Sequence, residues 1–100
     1  MTTYFITRHS GACAWAAQQG IEIDQVIDHF ELESVQPGDI VLGTLPVHLA
    51  AQVCARGGQY LHLSVEIPPQ RRGAELSAAE LDAFGARLEA YQVTRLKESG

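Results

Sequence analysis

The stretch Thr2-Thr3-Tyr4-Phe5-Ile6-Thr7-Arg8-His9-Ser10-Gly11 decides the fold. Its first six residues are strong β-formers, and bulky groups fall on both faces, as in a central strand buried on both sides. The run then breaks into a cation, an imidazole, a hydroxyl and a glycine, and an alanine-rich segment follows. That is the pattern of a buried strand feeding a loop and a helix N-terminus. In an open α/β sheet, ligands bind beyond the carboxyl ends of the strands. Helix N-termini there offer unpaired N–H groups and a positive dipole to anions. A phosphate-bearing ligand at this turn is therefore the first expectation.

Working outward, Thr2–Arg8 is the first predicted strand. Ser10 is the predicted N-cap of a helix over Gly11–Gln19, with Gly20 at its C′ position. Four alanines make this helix thin, and Trp15 is its core anchor, with an indole N–H to satisfy. A weaker, acidic strand around Val26–His29 suits a sheet edge. Gln36-Pro37-Gly38-Asp39 reads as a turn. Ile40–Thr44 is a short apolar strand, and Leu45-Pro46 opens a second helix with proline in its first turn. Leu61, Leu63, Val65 and Ile67 share one face of a fourth strand. Tyr60, His62, Ser64 and Glu66 form an opposite, polar face that suits a dimer surface. Ser77-Ala78-Ala79-Glu80 is a capping box, from which a last helix is expected to run to about Lys97, with Leu81, Phe84, Leu88 and Tyr91 as its stripe.

This order implies an α/β domain spanning 1–100, a small Rossmann-like open sheet. It is mainly parallel, with about four strands in the order 2-1-3-4 and helices on both faces, because crossovers are right-handed. The topological switch point then falls between strands one and three. Arg8–Gly11 is thereby expected beside Thr44–Pro46.

Composition narrows the function. Apolar residues are 46% and charged residues 19% of the 100, as in a folded globular domain. The net charge of −5 argues against binding long DNA or RNA. Acids concentrate from Glu22 to Asp39, and the cations lie elsewhere, so a local pocket for a small anion is compatible. With neither a leader pattern nor a membrane-length apolar run, a cytoplasmic protein away from membranes is expected. Cys13 and Cys54 read as buried free thiols. No carboxylate, His or Cys set has metal-site spacing, so no cofactor is implied and any catalysis is expected to need no metal.

The candidate site residues follow from this placement. Arg8 suits bidentate phosphate contact, and His9 suits proton transfer near neutral pH. Ser10, Gly11 and the first helix amides can cradle a phosphate. Thr44, Leu45 and Pro46 face them, and His48 lies half a turn into the second helix. Arg71 and Arg72 sit on a loop that can fold over the same end of the sheet. Each also has a plainer reading: a tether for an acid, a helix cap, or a solvated surface group. His29 and His62 read as structural or surface residues.

Two family resemblances meet at the opening stretch. Arg8-His9 with a nearby glycine resembles the Arg-His-Gly signature of histidine phosphatases, except that Ser10 separates His9 from Gly11. The broader likeness spans nearly the whole chain. It lies in Thr3–His9, Gln36–Asp39, Gly43–Val47, Leu49-Ala50-Ala51 and Arg72–Ser77, which together resemble the small CRISPR-associated Csx-sixteen family. Position 48, often Asn in that pattern, is His48 here. The resemblance implies a Rossmann-like homodimer that binds cyclic oligoadenylate. It also implies a ring nuclease that cuts cyclic tetra-adenylate and so silences the type III antiviral signal. On that reading Arg8 stabilises charge, His9 moves a proton, Thr44 and the helix amides position phosphate, and Arg71 or Arg72 closes over the ring. The alternatives are a binding protein that sequesters the cyclic nucleotide uncut, a phosphomonoesterase with His9 as nucleophile, and an interaction domain without a small ligand.

Overall fold

The computed structural model describes residues 1–28 and 32–96; His29, Glu31 and Lys97 lie outside the described residues. The strands are β1 (Thr3–Ile6), β2 (Gln25–Ile27), β3 (Ile40–Gly43), β4 (Gln59–Ser64) and β5 (Arg87–Tyr91). The α-helices are α1 (Ser10–Gln18), α2 (Val47–Ala55) and α3 (Ala78–Ala83). They form one five-stranded sheet in the order β2-β1-β3-β4-β5. β1 pairs in parallel with β2 and β3, and β3 pairs in parallel with β4. The expected mainly parallel open sheet is observed, with one strand more than the sequence suggested.

Alternation along β1 builds both halves of the core. Phe5 points into a cluster with Ala12, Trp15 and Ala16 of α1, Leu42, Leu63, and Leu81 of α3. Tyr4 points the other way, into a cluster with Val35, Val41, Ala50, Val53 and Tyr60. α1 and α3 therefore cover one face and α2 the other, as right-handed crossovers running in opposite directions from the centre require. Burying side chains the size of Phe5 or Leu42 contributes roughly 1.5–3 kcal/mol each. Trp15 is 2% exposed, as an anchor should be. Its Nε1 finds no hydrogen-bond partner among the described residues, contrary to expectation.

The C-terminal region corrects the sequence reading. The capping box is present, with Glu80 N–H donating to Ser77 Oγ and Glu80 Oε1 accepting from Ser77 N–H. The helix nevertheless ends at Ala83. Gly85, at φ 75°, turns the chain, and the residues expected to continue the helix pair antiparallel with β4 as β5. In that register Leu63 lies beside Leu88, His62 beside Glu89 and Tyr60 beside Tyr91. The presumed polar outer face of the fourth strand is thus corrected as well. Tyr60 is 3% exposed, beneath α2, while His62 and Ser64 are half-buried. The strand ends at Ser64, short of Ile67.

Smaller differences concern helix starts. His9, and not Ser10, is the N-cap of α1, and Pro46 is the N-cap of α2, outside the first turn. Cys13 and Cys54 are free thiols but only half-buried. The turn before β3 is held by Asp39, whose carboxylate accepts from the N–H groups of Gln36 and Thr2. These two bonds, Gln36 first, hold its pKa below the ordinary carboxylate value. No described helix is long and apolar enough to cross a membrane.

Candidate functional site

The fold brings together the carboxyl ends of β1 and β3, next to each other and each followed by a helix on opposite faces. Between them lies a cleft of about 210 Å³. Its floor is apolar, from Phe5, Ala12, Leu63, Leu76 and Leu81, and its polar groups come from Thr7, His9 and Thr44. The convergence expected of Arg8–Gly11 and Thr44–Pro46 is therefore realised through His9 and Thr44, with Gly43 between them. Arg8 and Ser10 face the neighbouring, wider opening of about 590 Å³ on the β2 side, shared with Thr7, His9, Cys13 and Asp28.

The turn after β1 is shaped by its own short side chains. Thr7 Oγ1 accepts the N–H of His9 at 3.1 Å. His9 then takes extended backbone angles as N-cap, and no side chain caps the helix. The Ala12 N–H donates to the His9 carbonyl at 3.2 Å, and among the described residues no side chain takes the helix amides before it. The His9 ring is largely exposed, and its Nδ1 lies 3.9 Å from Glu75 Oε1. Glu75 is thus a neighbour of the imidazole that no spacing in the sequence announces. Gly11 sits so close to the segment before α3 that an added Cβ would fall 1.9 Å from the Leu76 carbonyl oxygen. It serves packing, and only glycine fits.

The turn after β3 is built differently. An added Cβ at Gly43, where φ is 154°, would approach the Ile6 carbonyl oxygen to 2.9 Å, so glycine lets the two strand ends close up. The amide of Leu45 donates to Tyr60 Oη at 2.8 Å, and Tyr60 Oη donates to the Gly43 carbonyl at 3.1 Å. His62 Nδ1 lies 2.7 Å from the same oxygen. Burial raises the Tyr60 pKa, partly offset by the Leu45 N–H. The phenol therefore stays protonated and able to donate. Nothing in the sequence singles out this pair, because an alternating strand carries no mark of which hydroxyl meets a turn.

The remaining candidates lie apart from the cleft. Leu45 lines a small pocket on the α2 face together with Tyr60, His62 and Tyr91. Pro46 is exposed at the start of α2. His48 faces a groove of about 840 Å³ between α2 and residues 92–95. Arg71 is engaged with the capping-box carboxylate, its Nη2 donating to Glu80 Oε2. The Ser77 backbone hydrogen bond and then this guanidinium hold the Glu80 pKa below the ordinary value. Arg72 is exposed on the loop before Ala74, and Ala74 itself lines the cleft. Among the described residues, no group of three His, Cys, Asp or Glu side chains is placed to hold a metal ion.

The sheet and its cleft define an open α/β protein with a candidate site at the switch point. The chain belongs to the family described as "Putative CRISPR-associated protein (Cas_VVA1548)", whose model matches residues 4–94. No curated protein and no solved structure matches it.

Proposed function

We propose that the protein is a ring nuclease that opens a cyclic oligoadenylate, foremost cyclic tetra-adenylate, and so switches off CRISPR signalling. The observation that carries this reading is the meeting of Thr7, His9 and Thr44 at one cleft mouth, beside the N-terminus of α1, which no side chain caps, in a member of a CRISPR-associated family. The substrate class comes from the Csx-sixteen resemblance. A small ring of phosphates needs only a local site, which the net charge of −5 permits.

The reaction needs no cofactor in this scheme. A ribose 2′-OH attacks the adjacent phosphorus, the P–O5′ bond breaks, and the product is linear with a 2′,3′-cyclic phosphate. The 2′-OH proton must leave and the 5′ oxygen must gain one. In this scheme His9, with Glu75 nearby, moves a proton, an effect worth about 10²–10⁴-fold. Arg8, reaching over from the adjoining opening, and the amides at the start of α1 offset charge on the five-coordinate phosphorus. Thr44 orients the phosphate. With Arg71 held by Glu80, Arg72 is the cation of that loop left to meet the ligand. A two-fold ring suits a homodimer presenting two such clefts.

The test is to incubate purified protein with cyclic tri-, tetra- and hexa-adenylate in the presence of chelator and resolve the products. Linear products ending in 2′,3′-cyclic phosphate are expected. Ligand returned intact after denaturation would identify a sequestering protein, and turnover abolished by chelator would refute the 2′-OH route.

A further inference from the structure

We propose that Tyr60 is a positioning residue for the switch-point site, its buried hydroxyl fixing the turn that carries Thr44, with His62 fixing the hydroxyl. The inference rests on the ring-nuclease reading for its effect on turnover, but its geometry is independent of that reading.

Thr44 lies between two peptide groups. The one before it ends in the Gly43 carbonyl, and the one after it in the Leu45 N–H. A single oxygen, Tyr60 Oη, bonds both, at 3.1 and 2.8 Å. Gly43 is also held by its sheet pairing with Ile6 and His62, and the residues that follow it leave the sheet. Pro46 caps α2 without a side-chain bond, and the Leu45 amide has no other acceptor among the described residues. Thr44 itself is exposed and lines the cleft. Its direction is therefore set from beneath, through the backbone on either side.

The oxygen is in turn held in place. Tyr60 is 3% exposed within the cluster under α2. A phenol has one proton and two acceptor sites. With its proton on Gly43 and one acceptor site taken by Leu45, the second faces His62 Nδ1 at 2.7 Å, which donates in the tautomer that carries its proton on that nitrogen. The His62 ring meets Tyr60 and Tyr91 edge-on, with centroids 5.8 and 6.0 Å away, so it cannot swing freely. His62 lines the α2-face pocket, not the cleft. It cannot touch a substrate held there and acts only through Tyr60.

Two readouts test this: the hydrogen exchange of the Leu45 amide and steady-state kinetics with cyclic tetra-adenylate. In Tyr60→Phe, Leu45 protection is expected to fall about tenfold, the worth of one hydrogen bond. A fall in kcat of about tenfold is expected alongside, with KM within about threefold of wild type. If Tyr60→Phe does not fold, His62→Leu carries the test, with the same losses in smaller degree and KM unchanged. The proposal is overturned if either readout stays at the wild-type value in a folded variant, or if KM alone changes. If the wild-type protein shows no turnover, the ring-nuclease reading has failed, and amide exchange alone judges Tyr60: unchanged protection overturns the inference and lost protection sustains it.

Discussion

The two turns that meet at the cleft occupy the same place in the topology, each joining a parallel strand to a helix, yet they are made in opposite ways. The turn after β1 displays side chains. Arg8 and His9 stand exposed, and its support comes from outside, where residues 74–77 pack over Gly11 and bring Glu75 to His9. The turn after β3 offers one short hydroxyl and otherwise backbone. Its support comes from beneath, through Tyr60. The difference teaches a division of labour: one turn supplies exposed ionisable side chains, and the other a backbone frame braced from within the sheet.

Three substitutions press on that contrast. The largest effect is expected from His9→Ala, which should lower kcat for cyclic tetra-adenylate by about 10²–10⁴-fold while leaving the fold unchanged by circular dichroism. A rate near wild type would move the chemistry away from the first turn. Gly11→Ala comes next, as a test of the outside brace. The new methyl group collides with the Leu76 carbonyl, and a stability loss of about 1–3 kcal/mol in urea melts is expected. No loss would mean that residues 74–77 do not brace the first turn.

The smallest effect concerns the ion pair that holds that brace. The Glu80 pKa is lowered in the folded protein, so its contribution is complete above the ordinary carboxylate value and fades as pH falls below it. Glu80→Gln should accordingly lower the melting temperature slightly at pH 7. The gap from wild type should narrow toward pH 3, where Asp39 loses its own contribution in both proteins alike. A gap that is constant across this range would show that the charge of Glu80 contributes nothing to the brace.

How much of this was legible in the sequence depends on the range of the forces involved. β1, β3 and the parallel order were readable, because apolar runs with fixed spacing leave a sheet few choices. The capping box at Ser77 and Glu80 was readable because it is local. β5 was not. Arg87, Leu88, Glu89 and Ala90 are all good helix formers, and only the open edge of β4 turns them into a strand, with Gly85 as the single local sign. In the site, the meeting of His9 with Thr44 followed from strand order. Glu75 beside His9, Tyr60 beneath Thr44 and the capture of Arg71 by Glu80 join residues far apart in the chain, and no spacing rule reaches them.

The two borders of the sheet carry a consequence for how the molecule meets others of its kind. A bare strand border is a template on which further chains can add. Here one border is the three-residue β2, flanked by Asp24 and Asp28, and the other is β5, studded with Arg87 and Glu89. Brevity guards the first and charge the second. Neither border therefore invites a neighbouring copy to extend the sheet.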